Sequence, residues 1–100
     1  MAVMVIGNVP GGTAEQDQEL LERMGLAQNP PAGVLARFAG PVASGWRIVS
    51  VWESREAWET FRRERLEPAL RDAGRPAPDV ELSDLHSVRL PAVGQVPQAG

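Results

Sequence analysis

The chain contains one histidine, His86, and no cysteine, lysine or tyrosine. His86 is therefore the one side chain that titrates near neutral pH without a large perturbation, and it is the candidate general acid or base. Asp84 precedes it by two positions, so in a strand both side chains would share a face, about 7 Å apart. Asp84 then either orients His86 or is a plain surface acid. The alternative for His86 is a structural hydrogen bond near a strand end or a subunit interface.

Two further polar residues lie in predicted strands and are candidates to stabilise negative charge on a reacting oxygen. Arg37 has the guanidinium geometry to hold an anionic or enolate oxygen, or else it forms a salt bridge across a dimer. Asn8 has an amide that either polarises a carbonyl or caps the end of its strand. Together with His86 and Asp84, these residues are the predicted catalytic group.

The predicted third strand has two very different faces, because successive side chains of a strand alternate. One face carries Trp46, Ile48, Ser50 and Trp52, and the other carries Arg47, Val49, Val51 and Glu53. The first group, called here the Trp46 set, mixes indoles with an aliphatic side chain and a hydroxyl, as small-molecule cavities do. The valines of the second group suit packing under helices. We therefore expect the Trp46 set to line a cavity on the sheet face away from the helices, with core packing as the alternative for the two indoles.

The neighbouring strands add residues to the same predicted cavity. In the second strand Val34, Ala36 and Phe38 resemble a core face, which places Leu35 and Arg37 towards the cavity. In the first strand Met4 shares a face with Asn8. The predicted substrate-binding residues are Trp46, Trp52, Ser50, Ile48, Leu35 and Met4.

The elements that position these residues follow from apolar patterns and from turn and cap signals. The predicted strands are Val3–Asn8, Val34–Ala39, Trp46–Glu53 and Val80–Leu90. Thr13 and Gln16 form a capping box for a helix that ends at Gly25, and Ser54 caps a second helix that Pro68 interrupts. Trp58 and Phe61 open the apolar stripe of that helix and are predicted core. The order β-α-β-β-α-β is the split pattern of an α+β ferredoxin-like fold, with a four-stranded antiparallel sheet and two helices on one face.

Composition restricts the classes of partner. The net charge of −3 and the lack of a basic face argue against nucleic acid, and no apolar run is long enough to predict a membrane span. Zero cysteines exclude disulfides and cysteine-ligated metals, and because the chain has only one histidine, no metal site is predicted. One hundred residues predict one domain over 1–90, followed by a Pro- and Gln-rich tail over 91–100 that is flexible or contacts a partner. The absence of a signal-peptide pattern agrees with a cytoplasmic protein.

The segment from Gly45 to Leu70, GWRIVSVWESREAWETFRRERLEPAL, resembles the strand and helix of the antibiotic biosynthesis monooxygenase-like branch of the dimeric α+β barrel superfamily. The resemblance implies a homodimer whose sheets face each other, which the apolar residues on both strand faces also favour. It further implies an oxygenase-type site, in which Asn8, Trp52 and His86 would take the roles of amide, indole and base.

The resemblance thus implies a small cavity enzyme of secondary metabolism that binds a hydrophobic or aromatic, polyketide-like molecule. It would act without a cofactor, as a monooxygenase or a cyclase or isomerase, through an enolate formed by a base. The alternative is a non-catalytic dimeric protein, either ligand-binding or stress-related, that has the same barrel.

Overall fold

The computed structural model describes residues 1–90, and the predicted tail 91–100 lies outside the described residues. The strands are β1 (Val3–Pro10), β2 (Val34–Val42), β3 (Gly45–Trp52) and β4 (Asp79–Asp84). The helices are α1 (Ala14–Met24), α2 (Arg55–Phe61) and α3 (Glu67–Asp72), with a π-helical turn (Arg62–Leu66) joining the last two. No helix among these residues is both long and apolar enough to cross a membrane.

The four strands form one antiparallel sheet in the order β2-β3-β1-β4. The predicted α+β ferredoxin-like arrangement is therefore confirmed. Val5, at the centre of β1, lies opposite Ser50 of β3 and Leu82 of β4, so these three side chains share one face of the sheet. Arg37 of β2 lies opposite Ser50 in turn and joins the same face.

Helix α1 begins and ends where the sequence predicts. The Thr13 hydroxyl accepts a hydrogen bond from the Gln16 backbone N–H, and the Gln16 side chain accepts one from the Thr13 N–H, which completes a capping box. Gly25 ends the helix with φ at 65°, a left-handed conformation that glycine adopts without steric cost. No residue of α1 is fully buried, so the helix lies across the sheet without a tightly packed contact face.

The core lies between the sheet and α2. Trp52 and Trp58 are 2% and 4% exposed, and their ring centroids are 5.8 Å apart. Phe61 lies against both indoles, with centroid separations of 5.0 Å and 6.0 Å, and Val3 and Val5 complete the cluster. The prediction that Trp58 and Phe61 belong to the core is confirmed.

The position of Trp52 corrects the predicted orientation of β3. The Trp46 set faces the helices, whereas Val49 and Val51, which were predicted to pack under the helices, lie on the opposite face of the sheet. The reason is that α2 itself presents Trp58 and Phe61, and the large ring of Trp52 fills the space beside them. The packing depends on the size and shape of the side chains that face α2. The β-branched character of Val49 and Val51 therefore did not predict which face of β3 meets the helices.

Strand β4 is shorter than predicted, ending at Asp84 where the prediction extended to Leu90. Its partner β1 begins at Val3, which pairs with Asp84, and one further backbone hydrogen bond joins the Leu85 N–H to the Ala2 carbonyl. Beyond that bond the chain has no strand to pair with. His86 therefore lies outside the sheet, on an exposed segment.

The π-helical turn explains how α2 and α3 continue past Pro68. The Glu67 N–H donates to the Arg62 carbonyl, five residues back, and Pro68 follows in the first turn of α3, where its missing N–H costs little. The Arg62 side chain crosses this turn from Glu59 to Glu67. The Glu59 carboxylate, by accepting hydrogen bonds from the guanidinium, raises the pKa of Arg62 above its ordinary value.

Candidate functional site

A cavity of about 340 Å³ lies between the helix-facing side of the sheet and the helices above it. The Trp46 set forms part of its floor. Apolar side chains of the helices, including Leu20, Met24, Phe61 and Leu70, form part of its roof. This volume falls in the range of small-molecule pockets, and the apolar lining suits a hydrophobic ligand.

One ion pair interrupts the apolar lining. The Arg37 Nη2 lies 2.6 Å from the Asp17 Oδ1, and both residues line the cavity. The Asp17 side chain is only 10% exposed, and that of Arg37 is 30% exposed. The pair joins α1 to the edge strand β2, and it places a carboxylate and a guanidinium at the wall of an apolar space, where their fields are weakly screened.

A second arginine lines the cavity and also contacts α1. The Arg75 guanidinium donates from Nη1 to the Gln16 carbonyl over 2.9 Å, and its Nη2 lies 3.2 Å from the Glu19 Oε1. Arg75 and Gln16 both line the cavity. The loop between α3 and β4 is thereby tied to the first turns of α1, so ion pairs join α1 both to this loop and to β2.

The floor of the cavity carries hydrogen-bonding groups of its own. The Trp52 indole N–H donates to the Ser50 hydroxyl oxygen over 2.9 Å, and Ser50 is 7% exposed. The indole nitrogen of Trp46 is buried and has no hydrogen-bond partner within residues 1–90. These donors lie on one face of β3, within an otherwise apolar surface.

The structure thus brings together Arg37 and the Trp46 set, which were predicted from separate strands. It places three other predicted residues elsewhere. Asn8 points to the opposite face of the sheet, where its side-chain oxygen accepts a hydrogen bond from the Arg47 Nε over 2.8 Å. Met4 shares that face, and Leu35 is 39% exposed at an irregularity of β2.

The predicted acid–base pair also lies away from the cavity. Asp84 is exposed at the end of β4, with its Oδ1 3.6 Å from the Arg55 Nη2. His86 is exposed beyond the strand and does not line the cavity. The expectation that His86 reaches a ligand between the indoles assumed that β4 continued to His86. Because β4 ends at Asp84, the His86 side chain does not reach the space between the indoles.

The sequence interpretation missed Asp17 and Arg75 as cavity residues. Asp17 had a detectable signal, because it shares the helical spacing of Leu20, Leu21 and Met24 and is the acid on that apolar stripe. Arg75 follows a glycine in a Pro-rich connection and gave no signal. Among residues 1–90, no group of three or more potential ligands is placed to hold a metal ion.

The fold has relatives among solved structures, although the sequence matches no protein-family model and no curated protein. A Chloroflexus aurantiacus protein, provisionally named an antibiotic biosynthesis monooxygenase, is 16% identical with a TM-score of 0.61, over 89% of this chain and 97% of its own. SnoaB, a cofactor-independent oxygenase from Streptomyces nogalater, is 13% identical with a TM-score of 0.59, over 90% and 96%. The ActVA-Orf6 monooxygenase of Streptomyces coelicolor, solved with the ligand nanaomycin D, is 22% identical with a TM-score of 0.53, over 91% and 92%. At these identities the likeness is one of fold.

Proposed function

We propose that this protein is a small cavity enzyme that acts without a cofactor on an aromatic or polyketide-like molecule of secondary metabolism. Its reaction is either oxygenation or a cyclisation or isomerisation, and both begin with an enolate. The observation that carries the proposal is the apolar cavity of about 340 Å³ whose wall holds the Asp17–Arg37 pair. The oxygenase activity of proteins with this fold supports it.

Asp17 and Arg37 together have the chemistry that enolate formation needs. A carboxylate oxygen of Asp17 accepts the proton from a carbon next to the substrate carbonyl, and the electron pair of that C–H bond becomes the enolate. The Arg37 guanidinium, 2.6 Å from Asp17, donates hydrogen bonds to the enolate oxygen. The apolar lining strengthens both interactions by excluding water. The enolate then reacts with dioxygen or with an electrophile in the same molecule.

Anthrone, a tricyclic ketone with an acidic methylene group, is a suitable probe of this proposal. One molecule of anthrone and one of dioxygen would give one of anthraquinone and one of water. We expect the protein to accelerate both dioxygen uptake and anthraquinone formation, in equal amounts, above the rate in buffer. Rates equal to that of buffer, at saturating anthrone, would contradict the oxygenase form of the proposal.

The alternative function is non-catalytic binding, and the position of His86 favours it. The one histidine lies outside the cavity, and the carboxylate that does line it is already paired with Arg37. A binding protein of this kind would saturate with anthrone, measured by quenching of tryptophan fluorescence, and would leave the probe unchanged. Saturation with turnover would exclude this alternative for that ligand.

The variant His86→Ala tests whether His86 is the catalytic base, as the sequence predicts, or lies outside the site, as the structure indicates. If His86 is the base, the variant loses anthrone turnover. Because the side chain is exposed and away from the cavity, we expect turnover and anthrone affinity within about twofold of wild type, as for most exposed positions. A loss above about tenfold, without a change in melting temperature, would restore His86 to the site.

We further propose a homodimer formed through the sheet face that the helices leave open. This face carries Met4, Ile6, Ala36, Phe38, Val49 and Val51. Phe38 is 61% exposed within residues 1–90, an unusual state for a phenylalanine in the middle of a strand. A second copy of the same face would cover these side chains.

Phe38→Asp should convert the dimer to a monomer. A charge in an apolar interface loses hydration that nothing there replaces, so we expect dissociation at micromolar concentration in sedimentation velocity. Thr60→Asp adds the same charge to the exposed surface of α2 and should leave the dimer intact. A wild-type protein that sediments as a monomer would contradict the proposed interface.

A further inference from the structure

We infer that the Ser50 hydroxyl, held in place by the Trp52 indole, donates the hydrogen bond that orients a carbonyl or phenolate oxygen of the ligand. The inference rests on the cavity of the proposed function and specifies the ligand class: a fused aromatic ketone, quinone or phenolate. It assigns to this chain an uncharged hydrogen-bond donor that is distinct from the Asp17–Arg37 pair, although Ser50 lies opposite Arg37 in the sheet.

The Ser50 hydroxyl has a hydrogen-bond donor that no protein group within residues 1–90 uses. A hydroxyl has one donor and two acceptor sites. Within residues 1–90 the Ser50 side chain makes one hydrogen bond, in which its oxygen accepts from the Trp52 Nε1 over 2.9 Å. The donor site therefore has no acceptor there, although Ser50 is 93% buried and lines the cavity. A buried hydroxyl proton without an acceptor is unfavourable, and a ligand oxygen in the cavity would satisfy it.

The Trp52 indole that contacts Ser50 is held rigidly in the core. Trp52 is 2% exposed, and its ring packs against those of Trp58 and Phe61, with centroids 5.8 Å and 5.0 Å away. The indole N–H thus has a fixed direction and occupies one acceptor site of Ser50. That contact restricts the hydroxyl proton to the remaining directions, so the donor is positioned before a ligand binds. The indole also polarises the hydroxyl, which strengthens its donation.

A second unpaired donor lies on the same strand face. The indole nitrogen of Trp46 is buried without a partner among residues 1–90. Trp46 precedes Ser50 by four residues, so their Cα atoms are about 13 Å apart along the strand. The surface between them carries Ile48, which is apolar. A flat hydrocarbon ligand with an oxygen atom at each end matches this order of donor, apolar surface and donor. A sugar or an amino acid matches it less well, because most of its polar groups would have no hydrogen-bond partner on this surface.

The test compares two ligands that differ only at the acceptor. In 9-fluorenone a carbonyl replaces the methylene group of fluorene, on the same tricyclic skeleton. Affinities for wild type and Ser50→Ala are measured by quenching of tryptophan fluorescence. We expect the substitution to weaken 9-fluorenone about fivefold, the factor that corresponds to a hydrogen bond of about 1 kcal/mol, and to leave fluorene within about twofold.

A second variant covers the case in which Ser50→Ala does not fold. Ser50→Ala leaves the Trp52 N–H buried without an acceptor, whereas the double variant S50A/W52F removes both polar partners and keeps an aromatic ring in the core. The double variant should show the same selective loss of 9-fluorenone affinity.

Equal changes for both ligands, or none for either, in a folded variant would overturn the role of Ser50 while leaving the cavity and the anthrone assay unaffected. Failure of both ligands to bind wild type would overturn the role of Ser50 and the ligand cavity together. Turnover of anthrone is measured independently, so the inference and the proposed enzymatic function can fail separately.

Discussion

Trp58→Ala is expected to lower the free energy of unfolding by about 3–5 kcal/mol, the range for truncating a buried aromatic side chain. Trp58 is 4% exposed, and its ring lies 5.8 Å from that of Trp52 and 6.0 Å from that of Phe61. The substitution removes one of the two ring contacts that join α2 to the sheet and opens a cavity that the two remaining rings cannot refill. Since a domain of this size is stable by about 5–15 kcal/mol, the loss is a large fraction of the total.

Urea unfolding followed by circular dichroism measures this effect directly. The transition midpoint should fall while the slope with urea stays constant, because the same surface is exposed on unfolding. Thr60→Ala, two residues along the same helix and exposed, is the matched control and should change stability by less than about 0.5 kcal/mol. A Trp58→Ala midpoint equal to that of wild type would contradict the packing of α2 described above.

Asp17→Asn is expected to reduce the turnover of anthrone by about 10²–10⁴-fold, the usual contribution of a positioned general base. The amide has the shape of the carboxylate and retains an oxygen that accepts from Arg37, so the fold and ligand affinity should change little. The ability to take the substrate proton is lost, together with the negative charge that pairs with Arg37. The effect should therefore appear in kcat and leave KM nearly unchanged.

Glu22→Gln makes the same chemical change on α1 at an exposed position outside the cavity, and its turnover should match wild type. If Asp17→Asn also retains turnover, the proton acceptor is another group, and the base assigned above is wrong. If the variant instead loses affinity for anthrone with kcat unchanged, Asp17 serves only to hold Arg37 in place.

Local sequence signals determined most of the secondary structure. Thr13 and Gln16 define the start of α1 and Gly25 its end, because a capping box and a left-handed glycine act within a few residues of the chain. The alternation of β3 likewise determined that Trp46, Ile48, Ser50 and Trp52 share a face. Each of these features depends on backbone geometry that neighbouring residues dictate, so it can be deduced before the fold is known.

Which side of the sheet that face meets was decided by tertiary packing. The alternation of side chains along a strand determines that Trp52 and Val51 point in opposite directions. It does not determine which of the two points to the helices. The orientation of β3 depends on side-chain volume, because α2 presents Trp58 and Phe61 to the sheet and the indole of Trp52 fills the space beside them. The cavity therefore lies between the sheet and the helices of one chain. The sequence interpretation had placed it on the opposite face of the sheet, away from the helices.

Contacts between distant segments decided the rest of the site. Arg37 and Asp17 are 20 residues apart and meet only because the fold brings α1 to the sheet face on which Arg37 lies. His86 lies away from the cavity because β1 begins at Val3 and leaves β4 nothing to pair with past Leu85. Residue types alone determined which groups can exchange a proton or bind an aromatic ring. The tertiary structure decided which of them share the cavity, because that depends on where partner strands and helices begin and end.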